Sequence, residues 1–103
     1  MTNIEALASI ILIPVELKLL EKILIDRNID GEENYTSSNE SIIELASAYV
    51  YKLLVTMPDT KQGSLSISNK QAENFKKLAN EIFNKYGKTS ELISAAKIRL
   101  QIL

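Results

Sequence analysis

The chain has neither cysteine nor histidine among its 103 residues. Without cysteine there are no thiolate nucleophiles and no disulfides, and without either residue the usual zinc ligands are gone. The missing histidine also removes the side chain best suited to proton transfer near neutral pH. Glycine is scarce: Gly31, Gly63 and Gly87 stand isolated, so no glycine-rich loop exists to cradle a phosphate. Long hydrophobic runs are missing too. The apolar stretch at residues 6–13 is cut by Pro14 and Glu16, far short of the ~20 residues that cross a bilayer. Glu5 stands where a secretion signal would carry basic residues and no small-residue cleavage site follows, so the stretch reads as buried rather than exported, with no membrane role.

What is present is ordinary for a folded protein: 46% hydrophobic and 24% charged residues, enough for one domain over residues 1–103 with its own core. The net charge of −1 hides a division. Residues 1–60 hold ten acidic residues against Lys18, Lys22, Arg27 and Lys52, whereas residues 61–103 hold eight basic and three acidic ones. Two readings stay open: an internal charge match within one subunit, or copies that meet acidic face to basic face.

Apolar spacing marks four helices. The first starts at Thr2 or Asn3 and carries Ile4, Leu7, Ala8 and Ile11; Ile10, Leu12 and Ile13 leave it almost no polar face, which calls for cover from a partner. The second opens at Pro14 and runs to about Asn28, with Val15, Leu19, Leu20, Ile23 and Leu24 inward. Ser37 and Glu40 have capping-box spacing for a third helix to about Thr56, bearing Ile42, Leu45, Ala46, Tyr49, Val50, Leu53, Leu54 and Met57 and stopped by Pro58. Ser68 and Gln71 repeat that spacing for the fourth, with Ala72, Phe75, Leu78, Ala79, Ile82, Phe83 and Tyr86 inward and Gly87 as terminator.

Between helices three and four, alternation over residues 64–68 suits a short strand. After Gly87, Leu92, Ile93 and Ala96 suit a short helix, and Ile98, Leu100 and Ile102 alternate with polar residues as an extended end able to pair with Leu65 and Ile67. The expected fold is therefore mainly α, a compact bundle of four to five helices with a short β-strand or hairpin-like loop around residues 63–68 and an extended C-terminus.

No catalytic constellation emerges, and an enzyme is not expected; no cofactor or metal is called for. Asp26, Asp30, Glu32 and Glu33 lack the alternating spacing and closing bidentate Glu of a calcium loop and read as a solvated loop. Lys70, Lys76, Lys77, Lys85 and Lys88 make helix four basic, yet they form no continuous row and have no aromatic interleaving, so a solvated face or protein contact is favoured over nucleic acid. Tyr49 and Tyr86 fall on apolar stripes. Tyr51 lies off the main stripe of its helix and is read as an interface anchor. The candidate subunit interface is Ile10, Ile11, Ile13, Tyr51, Leu65, Ile67, Ile98, Leu100 and Ile102.

Several segments together resemble a known group: Leu24-Ile25-Asp26-Arg27-Asn28-Ile29-Asp30, Tyr35, Ile43-Glu44-Leu45-Ala46-Ser47-Ala48, Met57-Pro58-Asp59, and Gly63-Ser64-Leu65-Ser66-Ile67-Ser68 leading into residues 78–87. Over residues 20–87 the chain resembles small phage and prophage proteins of Bacteroides-type hosts, similar in plan to the head-tail connector, or head-completion, proteins of tailed phages. That resemblance implies a structural virion protein in the neck, assembled in the host cytoplasm as a ring, commonly of twelve copies. Its partners would be other copies, the portal and neighbouring neck or tail proteins, with DNA passing through. No functional residue carries over, because such families are defined by packing. The alternative is a small adaptor or regulatory protein that binds DNA or a partner through the basic helix at residues 69–86.

Overall fold

In the computed structural model, which describes residues 1–56 and 68–93, helix α1 (Asn3–Ile10) opens on a capping box. The Glu5 N–H donates to the Thr2 hydroxyl at 3.3 Å and the Thr2 N–H to the Glu5 carboxylate at 2.8 Å, so two otherwise orphaned donors are satisfied reciprocally. The chain then leaves the helix at Ile11, which is extended. Helix α2 (Leu17–Asp26) begins at Leu17, behind a Glu16 cap that makes no side-chain bond. Pro14 therefore sits in a connector and does not open the helix as expected. A proline disfavours helical geometry in the residue before it, here Ile13, and residues 11–16 stay out of the helix.

The end of α2 reverses through Asn28, whose φ is 62°. The Ile29 N–H reaches the Leu24 carbonyl at 2.9 Å and the Asn28 N–H the Ile25 carbonyl at 3.0 Å, a Schellman closure with asparagine in the left-handed position. The following loop is strapped across the N-terminus. Asn3 N–H donates to Glu33 O at 2.8 Å, Tyr35 N–H to Met1 O at 2.8 Å, and Ile4 N–H to Gly31 O at 3.0 Å. Asn3 itself is buried, and its amide is satisfied: Nδ2 donates to Asp30 O at 2.9 Å while Oδ1 accepts from Asn39 Nδ2 at 3.2 Å. The strap passes close to the core at Gly31, where a Cβ would lie 3.2 Å from Leu24 Cδ1 and 3.5 Å from Ile4 Cβ.

Helix α3 (Glu40–Thr56) follows a 3-10 turn at Ser37–Asn39. This turn displaces the expected Ser37–Glu40 capping box: Glu40 becomes the first α-helical residue, and the nearby hydroxyls of Thr36 and Ser38 bond each other at 2.8 Å. The buried residues Ile43, Ala46, Ser47, Ala48, Val50, Tyr51, Leu54 and Val55 cover more than half the circumference of α3, and Ile42 points outward. The reason is position, since α3 packs on all three other helices, most extensively on helix α4 (Asn69–Lys85). Tyr51 stacks on Phe75 and Tyr49 meets Phe83 edge-on across that seam. Buried Ala48 on α3, and Ala72 and Ala79 on α4, are small enough for the two backbones to approach closely.

Helix α4 opens on the expected Ser68–Gln71 capping box and closes at Gly87, whose φ is 70°. Its Lys88 N–H returns to the Phe83 carbonyl at 2.7 Å. Beyond it lies a 3-10 turn at Thr89–Glu91, and Leu92 is extended. The short helix expected over Leu92 and Ile93 does not form there. Instead the Asn80 amide holds the Ile93 backbone twice, donating to its carbonyl at 3.1 Å and accepting its N–H at 2.8 Å. Of the strand or hairpin-like loop expected around residues 63–68, residues 63–67 lie outside the described residues and Ser68 is the N-cap of α4; the extended end at residues 97–103, Pro58 and Ala96 also lie outside them. Among the described residues there is no strand, only an isolated antiparallel bridge between Thr2 and Asn34. The fold is thus a mainly helical globule, with four α-helices among the described residues sharing one core.

Candidate assembly surface

An open groove of about 480 Å³ runs between α1, α3 and α4. Ile10 and Leu12 form one wall, Leu78 and Ile82 the other, and Tyr51 and Ile43 the floor. The rim is mixed: Met1 is 67% exposed, Leu12 67% and Ile10 43%, beside exposed Ser9, Glu40 and Ser41. The exposure of Ile10 and Leu12 follows from local structure. Ile10 lies one turn beyond Ala6 and Leu7 on the same side of α1, where that side faces the open groove, and the extended connector then carries Leu12 along the groove edge.

At the α3–α4 end the groove closes on a polar trio. Lys85 Nζ lies 2.9 Å from Glu44 Oε1, and the Tyr86 hydroxyl donates to the same oxygen. The Lys85 hydrogen bond, followed by that from Tyr86, holds the Glu44 carboxyl below its ordinary range. The same contact with Glu44 pushes both Lys85 and Tyr86 up. Glu44 is therefore an ionised clamp between α3 and α4, with the opposite shift from that of a carboxyl acting as an acid near neutral pH. Deeper in, burial raises the Tyr51 hydroxyl, and that oxygen accepts the Leu12 N–H at 3.2 Å.

The anticipated interface residues divide. Ile10 is exposed on the groove, Ile13 is half-buried against the core, and Ile11 is buried. Tyr51 corrects the expectation that it anchors a partner: at 3% exposure it belongs to the chain's own core. It lies off the α3 stripe read from the sequence because that helix is covered on more than one side. Leu65, Ile67, Ile98, Leu100 and Ile102 lie outside the described residues.

Of the basic residues, Lys70, Lys77 and Lys88 are exposed. Lys76 is half-buried and 3.8 Å from Glu73, and Lys85 is taken by Glu44. Leu12, named from the sequence as part of an over-apolar first helix, is not among the anticipated interface residues, and sequence reasoning did not single out Leu17 and Ile25, which are 59% and 70% exposed on α2. A signal existed for Ile25, which falls opposite the buried stripe of Leu19, Leu20, Ile23 and Leu24, whereas Leu17 borders that stripe at the first position of the helix.

The acidic residues of the 26–33 region serve local structure. Asp26 pairs with Lys22 at 2.6 Å, and Asp30 Oδ1 accepts the Glu32 N–H at 2.9 Å. No group of three or more potential ligands converges as a metal site among the described residues, and no helix among them is long and apolar enough to cross a membrane. No curated protein and no solved structure matches the chain. Residues 1–101 do match one family model, and the chain belongs to that family, described as a family of unknown function (DUF6706).

Proposed function

We propose that this chain is a structural subunit that works by assembling, and that the assembly is the neck ring joining the portal and head of a tailed phage to its tail. The apolar groove with Met1, Ile10 and Leu12 exposed at its rim supports the assembly reading. Three large apolar side chains around one concavity carry a hydration cost that a protein partner relieves. The neck placement rests on the likeness of residues 20–87 to connector proteins.

The basic-helix alternative has weaker support, because Lys85 is clamped to Glu44 and Lys76 is drawn toward Glu73. That leaves fewer cations for a phosphate backbone. Mixing the purified chain with a candidate portal ring and viewing the product by electron microscopy tests the reading. A ring of this protein seated on the portal is expected. A chain that remains monomeric and has no affinity for portal or tail proteins overturns it, and salt-sensitive binding to duplex DNA that weakens on neutralising Lys76 and Lys77 favours the alternative.

A further inference from the structure

Helix α2 buries Leu19, Leu20, Ile23 and Leu24 and leaves exposed Leu17, beside that stripe at the first position of the helix, and Ile25, on its far side. With Glu21 between them, these residues stand four apart in one row along the helix, an apolar ridge with a carboxylate at its middle. The groove takes its lining from α1, Leu12, α3 and α4, and the ridge shares no residue with it. Resting on the assembly reading, we propose that the α2 ridge of one copy seats in the α1–α3–α4 groove of the next, head to tail.

Shape and charge both point to this occupant. An exposed apolar row on a helix is the natural insert for a groove walled by Ile10, Leu12, Leu78 and Ile82. Residues 16–33 carry six carboxylates and three cations, whereas residues 69–88 carry five lysines and two glutamates. The ridge region is thus acidic and α4, which supplies one wall of the groove, basic, although within the groove itself Lys85 is paired with Glu44. Lys70 and Lys77, seven residues apart on the exposed face of α4, make no ion pair with the described residues. Pairing groove to groove would set that basic flank against its own copy and leave Leu17 and Ile25 in water. Because ridge and groove are different surfaces, every docked copy still offers one of each, and the contact propagates to a closed ring or an open filament.

Two exposed-site variants of the full chain test this by sedimentation velocity: Ile25→Glu, which spoils the ridge, and Leu12→Glu, which spoils the groove. Thermal unfolding followed by circular dichroism checks that each variant still folds. Each alone is expected to self-associate roughly tenfold more weakly or worse, the effect of losing an interface anchor. Mixed in equal amounts they form a one-to-one dimer that grows no further, because one intact ridge meets one intact groove. Raised salt weakens the wild-type association. Ile25→Glu protein that associates like wild type, or a mixture that recovers no dimer, overturns the head-to-tail contact while wild-type association leaves the assembly reading standing. A wild-type chain that stays monomeric alone overturns the contact; if it also ignores the portal and tail proteins, the assembly reading falls with it.

Discussion

Tyr51 and Phe75 stack with ring centroids 5.0 Å apart and 20° between their planes, joining α3 to α4 beneath the groove. The pair makes the groove floor part of the core, so substitutions there read out as stability. Tyr51→Ala is expected to cost about 3–5 kcal/mol, as for other buried aromatic truncations. Tyr51→Phe keeps the stack and loses only the acceptor for the Leu12 N–H, at about 1 kcal/mol. Urea unfolding of the two variants separates the contributions.

Acid is expected to loosen the α3–α4 seam. Glu44, held down by Lys85 and Tyr86, and Glu91, held down chiefly by Lys52, both have folded-state pKa values below their ordinary value. Their contribution is present above the ordinary carboxyl range and is lost as pH falls through the lowered values. Melting temperature measured between neutral and strongly acidic pH should therefore decline, and less steeply in Glu44→Gln and Glu91→Gln proteins.

Gly87→Ala is expected to destabilise by about 1 kcal/mol. The φ of 70° opposes any side chain, and a Cβ there would meet nothing within 4 Å, so the cost is conformational. The same substitution at Gly31 would set a methyl group 3.2 Å from Leu24 Cδ1 and 3.5 Å from Ile4 Cβ, so its effect is one of packing, set by whether the Leu24 side chain gives way. Denaturation of the two variants, compared in each case with serine at the same position, checks the distinction.

Asn80→Ala removes both bonds that hold the Ile93 backbone. Loss of amide-exchange protection at Ile93 is expected, with a stability decrease of about 1 kcal/mol. Unchanged protection at Ile93 would mean that burial of its side chain suffices to hold it.

How much of this was legible in the sequence depended on how local the cause was. The cap at Thr2, the Ser68–Gln71 box and the Gly87 terminator each involve residues a few positions apart, and each stands where its spacing put it. Ser37 and Glu40 have the same spacing, yet a 3-10 turn intervenes, because Asn39 is drawn to Asn3 by a long-range bond. Tyr51 was misread for a tertiary reason: a helix covered on several sides has no single stripe, and helical periodicity then loses its meaning. The groove draws its walls from three helices, and no spacing in the chain reports their juxtaposition. Ile10 and Leu12 signal part of it, through a first segment too apolar for its own cover.

Assembly through the groove is tested most directly by sedimentation velocity of the full chain over rising concentration, beside an Ile10→Glu, Leu12→Glu double variant with an unchanged melting profile. The expected result is a wild-type species heavier than one chain that the double variant fails to form. Identical monomer profiles for both proteins, with and without the portal, would contradict it.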